Sequence, residues 1–110
     1  MGVNLTLAID RYSSSGAMHC SQRTRLDWQD YDAFKRICGE AIPLTSGVHW
    51  YGDEGIEHRH TDQYGEPLTY MAAHTIARHL GDAKLSKWDA AALAYLQAIP
   101  PETRVVLWWC

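Results

Sequence analysis

The sequence predicts a single small α+β domain over residues 1–110. Apolar segments with strand character open and close the chain, and three helical patterns lie between them. A hydrophobic fraction of 46% and a charged fraction of 21% are typical of a globular chain. A chain of this length buries a core without disulfides or metals, which become usual only below roughly 40 residues. We therefore expect a short, mostly antiparallel sheet, with the N-terminal and C-terminal strands at its centre, packed against about three helices.

The strands are predicted from hydrophobic periodicity. Over 3–10, apolar residues alternate with polar or small ones, which is the period of two expected of a strand. A turn at 13–16 (SSSG) precedes 18–26 (MHCSQRTRL), which we expect to return as an antiparallel partner. We expect 42–55 to be irregular because Pro and Gly interrupt it, and 55–61 (GIEHRHT) to form a short strand.

The C-terminal segment, 103–110 (TRVVLWWC), is a near-continuous apolar run. Such a run predicts burial on both faces of the strand, or one face kept for a partner. An exposed apolar edge strand is also prone to pair with another chain. A homodimer that pairs through Val105 to Cys110 is therefore one structural alternative.

The first two helices are predicted from apolar stripes at helical spacing. The first follows an N-cap at Asp27 or Asp30, because a carboxylate there accepts the free amides of the first turn. The second ends at Gly81, a natural C-terminal cap. Its start stays open between Pro67 in its first turn and a short strand at 68–71 before it.

The third helix runs from the N-cap Ser86 to the residues before Pro100. The three stripes contain the side chains that we expect to face the core: Tyr31, Phe34, Ile37, Cys38 and Ala41, then Met71, Thr75, Ile76, His79 and Leu80, then Trp88, Ala92, Leu93, Leu96 and Ile99.

Charge and composition exclude several classes of protein. The formal net charge of −3 argues against a protein whose main task is to bind phosphates, so we expect no nucleic-acid partner. No apolar run approaches the roughly 18 residues of a membrane span, and the start lacks the apolar core of a signal peptide. Cys20, Cys38 and Cys110 are odd in number and lack CxxC spacing, which favours reduced thiols in a cytoplasm.

The chain carries no motif that requires catalysis. It has no P-loop, no GxGxxG, no nucleophile elbow, and no adjacent pair suited to act as nucleophile and base. We assign no catalytic residue and no required cofactor, and we expect a binding function in preference to an enzyme. The alternative is a small metal-binding module or metal-dependent enzyme that uses His58 and His60.

The stretch 57–60 (EHRH) is the candidate metal site. In an extended segment, His58 and His60 point to the same face. Two imidazoles could bind zinc, at about 2.0–2.1 Å from each nitrogen, provided that a third ligand such as Asp62, His19 or His49 approaches. The alternatives are a solvated polar hairpin and a histidine contact with a partner.

The aromatic residues indicate a binding surface. The chain has five Trp and six Tyr but one Phe, so nearly every ring carries a polar group suited to an interface. Two clusters combine such rings with carboxylates, which would suit a basic partner surface. The candidate partner-binding residues are Asp27, Trp28, Asp30, Tyr31 and Asp32 in the first cluster, and Trp50, Tyr51, Asp53 and Glu54 in the second. The alternative is that these rings cover the edge of a thin core.

Three segments carry a resemblance: the opening MGVNLTL, the central DEGIEHRHTDQYGEPLTYMAAHTIARHL, and the closing IPPETRVVLWW. In this pattern the chain resembles small uncharacterised proteins encoded by phages and prophages. The resemblance implies that TDQYGEPLTY is a turn leading into a helix, with EHRH as the strand before it. It also implies a bacterial cytoplasm as the setting. There, a protein of this size is expected to bind and block a host protein, including a defence component of the CRISPR type.

Overall fold

The computed structural model describes residues 3–10, 18–44, 47–52, 55–81 and 83–110, and for 18–22 and 50–52 it describes the backbone only. In chain order the elements are β1 (Leu5–Asp10), β2 (Met18–Arg25), α1 (Tyr31–Glu40), β3 (Ile42–Pro43), β4 (Val48–Gly52), β5 (Gly55–Arg59), β6 (Thr69–Ala72), α2 (Ala73–Gly81), α3 (Lys87–Ala98) and β7 (Arg104–Trp109). The turn predicted at 13–16 lies outside the described residues.

The strands form one sheet in the order β3, β6, β7, β1, β2, β4, β5. Neighbouring strands are antiparallel, except β2 and β4, which run parallel. β1 and β7 are neighbours in the interior of the sheet, with Leu7 opposite Leu107. The predicted α+β fold is therefore confirmed: a mostly antiparallel sheet with the terminal strands central, packed against three helices.

The central strands are buried on both faces. On one face, β1 and β7 pack against the three helices, which contribute Ile37, Ile76 and Leu96 to the core. On the other face, Ala8 and Val106 form a second cluster with Val48 and Leu68. Successive side chains of a strand alternate between faces, so the apolar run in β7 supplies both clusters. The predicted burial of this strand on both faces is confirmed.

Neither backbone edge of β7 is free along the strand. β6 pairs with one edge and β1 with the other. Asn4 and Cys110 extend the pairing by exchanging two backbone hydrogen bonds of 2.7 and 2.9 Å. The homodimer predicted through Val105 to Cys110 depended on a free edge, and that premise is wrong.

The sheet curls so that the end of β5, the strand at one edge, approaches the segment that precedes β6. Thr61, just after β5, forms an antiparallel bridge with Pro67. The Leu68 N–H also donates to the His60 carbonyl at 3.1 Å. Val48 and Leu68 are thereby brought to the second cluster, so the face of the sheet that lacks helices is still covered by apolar side chains.

The segment predicted to be irregular, 42–55, contains two strands, and that prediction was wrong. Pro43 lacks an N–H group, yet it sits in the two-residue β3 at the end of the sheet, where a strand tolerates proline. Gly52 and Gly55 form the last pair of the β4–β5 hairpin. Gly55 has a φ of 114°, which residues with a side chain rarely adopt. The apparent breakers therefore mark strand ends. The short strand predicted at 55–61 is confirmed as β5.

Asp30 is the N-cap of α1, one of the two predicted residues. Its Oδ1 accepts the backbone N–H groups of Asp32 and Ala33, each at 3.1 Å. The helix buries Ala33, Phe34 and Ile37, so the predicted stripe is right at its middle.

The start of the second helix is resolved in favour of a strand, because β6 precedes α2 directly. In α3, Ser86 is the N-cap, as predicted, and accepts the Asp89 N–H at 3.2 Å. Trp88 was expected to face the core, but its side chain is 81% exposed. The inward position in that turn is taken by Asp89, which lies on the same face as Leu96, seven residues on. No helix in the described parts of the chain is both long and apolar enough to cross a membrane.

Candidate functional site

A groove of about 780 Å³ lies between α1 and residues 62–67. Thr69 of β6 and Trp109 of β7 also contribute to its lining, which is mostly apolar. Its volume falls within the roughly 300–1,000 Å³ typical of ligand sites. We call it the α1 groove.

The α1 wall follows from the periodicity of the helix. Tyr31, Lys35 and Cys38 recur at intervals of four and three residues and line the groove. Tyr31 is 53% exposed and Cys38 is also exposed, so the prediction that both face the core was wrong. The two side chains flank the buried stripe and face the groove instead.

Aromatic rings in edge-to-face contact form the apolar base of the α1 groove. Phe34 meets Trp109 edge to face with ring centroids 5.1 Å apart, and Tyr31 in the same manner at 6.2 Å. Such T-shaped pairs are favourable beyond the area that they bury. The end of β7 and the middle of α1 are thus held together directly beneath the groove.

The opposite wall is a turn held by its own hydrogen bonds. The Asp62 carboxylate accepts the backbone N–H groups of Tyr64 at 2.8 Å and Glu66 at 3.1 Å. Gly65 completes the turn at a φ of 82°, and the Gln63 N–H donates to the Trp109 carbonyl at 3.1 Å. The turn is therefore anchored to β7, and it presents Tyr64 and Glu66 to the groove.

Charges at the rim of the α1 groove are mainly acidic, with Asp62 and Glu66 on the turn and Lys35 on the helix. Partial burial, followed by the nearby Asp62 carboxylate, raises the pKa of the Cys38 thiol above its usual value. Cys38 is therefore a neutral thiol at pH 7 and not an activated nucleophile.

The first predicted aromatic cluster divides into structural and exposed residues. The backbone N–H of Trp28 donates to the Asp89 carboxylate at 2.7 Å. The half-buried ring of Trp28 packs edge to face on Phe34, with ring centroids 5.4 Å apart. Asp30 is engaged as the N-cap. Asp27 and Asp32 are exposed and do not line the groove.

The second predicted cluster is described only in part. Trp50 and Tyr51 lie in β4, in register with Glu57 and Ile56 of β5. Their side chains, and the whole of 53–54, lie outside the described residues. The binding role predicted for Trp50, Tyr51, Asp53 and Glu54 stays a prediction.

The resemblance implied a turn within 61–70, but sequence reasoning missed that this turn forms the second wall of the groove. Asp62, Tyr64 and Glu66 repeat the pattern of a ring flanked by carboxylates that had singled out the other two clusters. That pattern could have identified the turn. Its approach to α1 depends on contacts between distant segments, which the local pattern does not contain.

A histidine cluster lies on the β4–β5 hairpin. His49 stands opposite His58 in the antiparallel pair, and their ring centroids are 4.3 Å apart. The ring of His60, two residues further on, lies 4.4 Å from that of His58. The predicted pair is thereby joined by His49, one of the three residues considered as a third partner.

The backbone of Gly47 makes room for these rings. A Cβ atom at this buried glycine would lie 2.5 Å from His58 Nε2, 2.8 Å from His60 Cε1 and 2.9 Å from the Arg59 carbonyl oxygen. Cβ atoms essentially never come so close to other heavy atoms. The imidazoles of His58 and His60 therefore pack against the backbone of Gly47, in space that a side chain at this position would occupy. This packing favours an organised cluster over independent solvated histidines.

Electrostatics disfavour a proton on the middle ring of the cluster. Desolvation, followed by repulsion from charge on His49 and on His60, lowers the pKa of His58 below its ordinary value. As the rings stand, no three His, Cys, Asp or Glu side chains among the described residues are positioned together as ligands of one metal ion. Asp62 holds its turn, and the backbone of His19 lies in register with His49.

The two histidines of α2, five residues apart, serve separate contacts. The His74 Nε2 lies 3.3 Å from Glu102 Oε1. His79 is 9% exposed, and its Nε2 lies 3.0 Å from Glu40 Oε2, which Arg78 also contacts at 3.0 Å. Glu40 thereby links α1 to α2.

Comparisons with known proteins add no relatives. No protein-family model, no curated protein and no solved structure matches this chain.

Proposed function

We propose that the protein is a non-enzymatic binding protein that holds a segment of a partner protein in the α1 groove. The groove itself carries the proposal, with its volume of about 780 Å³ and its base of Phe34 and Trp109. Tyr31 and Tyr64 stand exposed at opposite walls, at 53% and 56%. Tyrosine and tryptophan dominate the energetics of protein interfaces because they combine a large apolar surface with a polar end.

The rim indicates the chemistry of the partner. Asp62 and Glu66 outnumber Lys35, so the complementary segment places a Lys or Arg beside an apolar side chain. The apolar side chain enters the groove, and the basic group meets the turn. This arrangement keeps the acidic-aromatic character predicted from the sequence, but it centres on Tyr31 and the turn in place of Trp28.

The proposed setting comes from the resemblance to phage and prophage proteins. In that setting the partner is a host protein of the bacterial cytoplasm, and binding modulates or inhibits it. A defence component of the CRISPR type is one such partner.

The test measures partner affinity after capture from the native bacterial lysate and identification by mass spectrometry. We expect Tyr31→Ala and Tyr64→Ala each to weaken binding of the purified partner by about ten-fold, as hot-spot truncations do. Trp88→Ala is the matched control, because its ring is also exposed but does not line the groove. Unchanged affinity in both tyrosine variants would exclude the groove as the binding site.

Cys38 offers an independent readout because it lines the groove and is exposed. Alkylation at Cys38, followed by peptide mass spectrometry, should slow when the partner is bound. Cys110, which is half-buried and does not line the groove, is the internal reference. Equal alkylation of Cys38 with and without the partner would contradict occupation of the groove.

A further inference from the structure

We propose that His49, His58 and His60 bind one divalent transition-metal ion on the outside of the β4–β5 hairpin. The proposal is independent of the proposed function, because none of these side chains lines the α1 groove.

Strand geometry brings the three side chains together. His49 and His58 are directly opposite in an antiparallel pair, where Cβ atoms are about 4.5–5.5 Å apart. His60 follows His58 by two residues and therefore points to the same face. The backbone alone thus places three imidazoles around one region.

The ring of His58 is already in contact with each of the other two. The centroid distances are 4.3 Å for His49 and His58 and 4.4 Å for His58 and His60. Gly47 lies beneath the second pair, where any Cβ atom would collide with both rings. The positions of the three histidines are thus set by the pairing of β4 with β5 and by the space above Gly47, and not by the conformation of one side chain.

The positive charge of Arg59, between the two ligands in sequence, is directed elsewhere. Its guanidinium pairs with the Glu57 carboxylate, with Nη2 at 2.9 Å and Nε at 3.1 Å from Oε2. Alternation along β5 places Glu57 and Arg59 on the face opposite to His58. A cation so close in sequence to His58 and His60 would disfavour a metal ion, but this one is neutralised and directed away from the imidazoles.

Binding requires the rings to reorient, since their nitrogens do not converge as they stand. Around a tetrahedral ion with metal–nitrogen bonds of about 2.0–2.1 Å, ring centroids lie about 5 Å apart. The contacts of His58 with His49 and with His60 would each have to open by less than about 1 Å to reach that separation. His58 and His60 are exposed, so their side chains can rotate without disturbing the core.

Three histidines leave a fourth position of a tetrahedral ion open to water. Imidazole nitrogens are suited to Zn²⁺, Cu²⁺ and Ni²⁺ and are poor ligands for Mg²⁺ and Ca²⁺. The site is therefore selective for ions of the first group.

The test is calorimetric titration of untagged, metal-free protein with Zn²⁺, followed by titration with Mg²⁺. We expect one Zn²⁺ per chain and no heat of binding with Mg²⁺. His49→Ala, His58→Ala and His60→Ala should each weaken Zn²⁺ binding by at least ten-fold. His74→Ala is the matched control, because His74 is exposed on α2 beside a carboxylate, and it should leave the affinity unchanged.

Two further measurements separate this site from non-specific histidine binding. The imidazole signals of His49, His58 and His60 in NMR spectra should shift together at one equivalent of Zn²⁺, while those of His74 stay in place. Gly47→Ala, which keeps all three ligands, should also weaken binding because the Cβ displaces the rings. Loss of affinity in His74→Ala equal to that in His58→Ala, or the absence of stoichiometric Zn²⁺ binding, would overturn the proposal.

Discussion

The carboxylate of Asp89 holds the backbone of Trp28 through a hydrogen bond of 2.7 Å, although 61 residues separate them in sequence. Its other oxygen accepts the Asp27 N–H at 3.0 Å. Asp89 is 1% exposed and lies in the first turn of α3. One buried carboxylate therefore fixes the segment before α1 against the start of α3, and α1 is the helix that forms a wall of the groove.

Replacement of Asp89 by alanine should lower the free energy of unfolding by about 2–3 kcal/mol, because hydrogen bonds to a charged group are lost and two amides lose their acceptors. Urea denaturation followed by tryptophan fluorescence measures the change. Asp32→Ala, at an exposed position in the first turn of α1, is the matched control and should change stability by less than about 1 kcal/mol. Similar losses in both variants would contradict a special role for Asp89.

Substitution of two glycines by alanine should have opposite effects. At Gly47 the new Cβ meets two histidine rings and the Arg59 carbonyl, and we expect destabilisation by about 1–3 kcal/mol. At Gly39, near the end of α1, a Cβ finds no atom within 4 Å, and higher helix propensity should stabilise the protein by up to about 1 kcal/mol. Thermal unfolding compares the two variants. A stable Gly47→Ala protein would show that the close approach at this position is easily relieved.

The contact between Glu40 and His79 should make the free energy of unfolding decrease at acidic pH. The hydrogen bond from His79, followed by the charges of His79 and Arg78, outweighs desolvation and lowers the pKa of the Glu40 carboxyl. The folded protein thus binds this proton more weakly than the unfolded chain does. The stabilisation is fully present above the unfolded pKa of about 4.3 and is lost as the pH falls through the lowered folded value.

The measurement for Glu40 is the free energy of unfolding of the parent and of Glu40→Gln between about pH 2 and pH 6, a range that brackets the unfolded pKa. The difference between the two proteins should shrink as the pH falls. Glu102→Gln is the control, since Glu102 is also paired with a histidine but is 85% exposed. A difference for Glu40→Gln that is constant across the range would refute the linkage.

The two tryptophans in or near the predicted stripes should respond differently to truncation. Trp28 packs on Phe34 and on the edge of the core, so Trp28→Ala should destabilise the fold by about 2 kcal/mol. Trp88 is 81% exposed, so Trp88→Ala should change stability by no more than about 0.5 kcal/mol. Chemical denaturation measures the loss of stability in each variant. The reverse order would mean that the Trp28 ring is not part of the core.

The elements predicted correctly are those whose pattern is local. The alternation at the start of the chain, the apolar run of β7 and the caps at Asp30 and Ser86 each identify an element from a few neighbouring residues. β3 and β4 were missed because Pro43 and the surrounding glycines mimic a loop when their distant partners are unknown.

The candidate site was predicted only in part for the same reason. Tyr31, one of the predicted partner-binding residues, lines the groove, but its expected burial was wrong, because a helical stripe does not reveal where the core ends. The opposite wall at Tyr64 approaches α1 only through the anchoring of its turn to Trp109. The convergence of His49 with His58 likewise follows from a strand register that no local signal in the sequence specifies.

The position of β7 between β6 and β1 has a consequence for the order of folding. During synthesis, a nascent chain that has emerged only as far as α3 lacks the strand that joins β6 to β1. The central pairing, Leu5 with Trp109 through Ile9 with Val105, connects segments about 100 residues apart and therefore closes a long loop. Completion of the sheet therefore waits for β7 and is expected to be comparatively slow, and until β7 inserts, the facing edges of β1 and β6 stay unpaired.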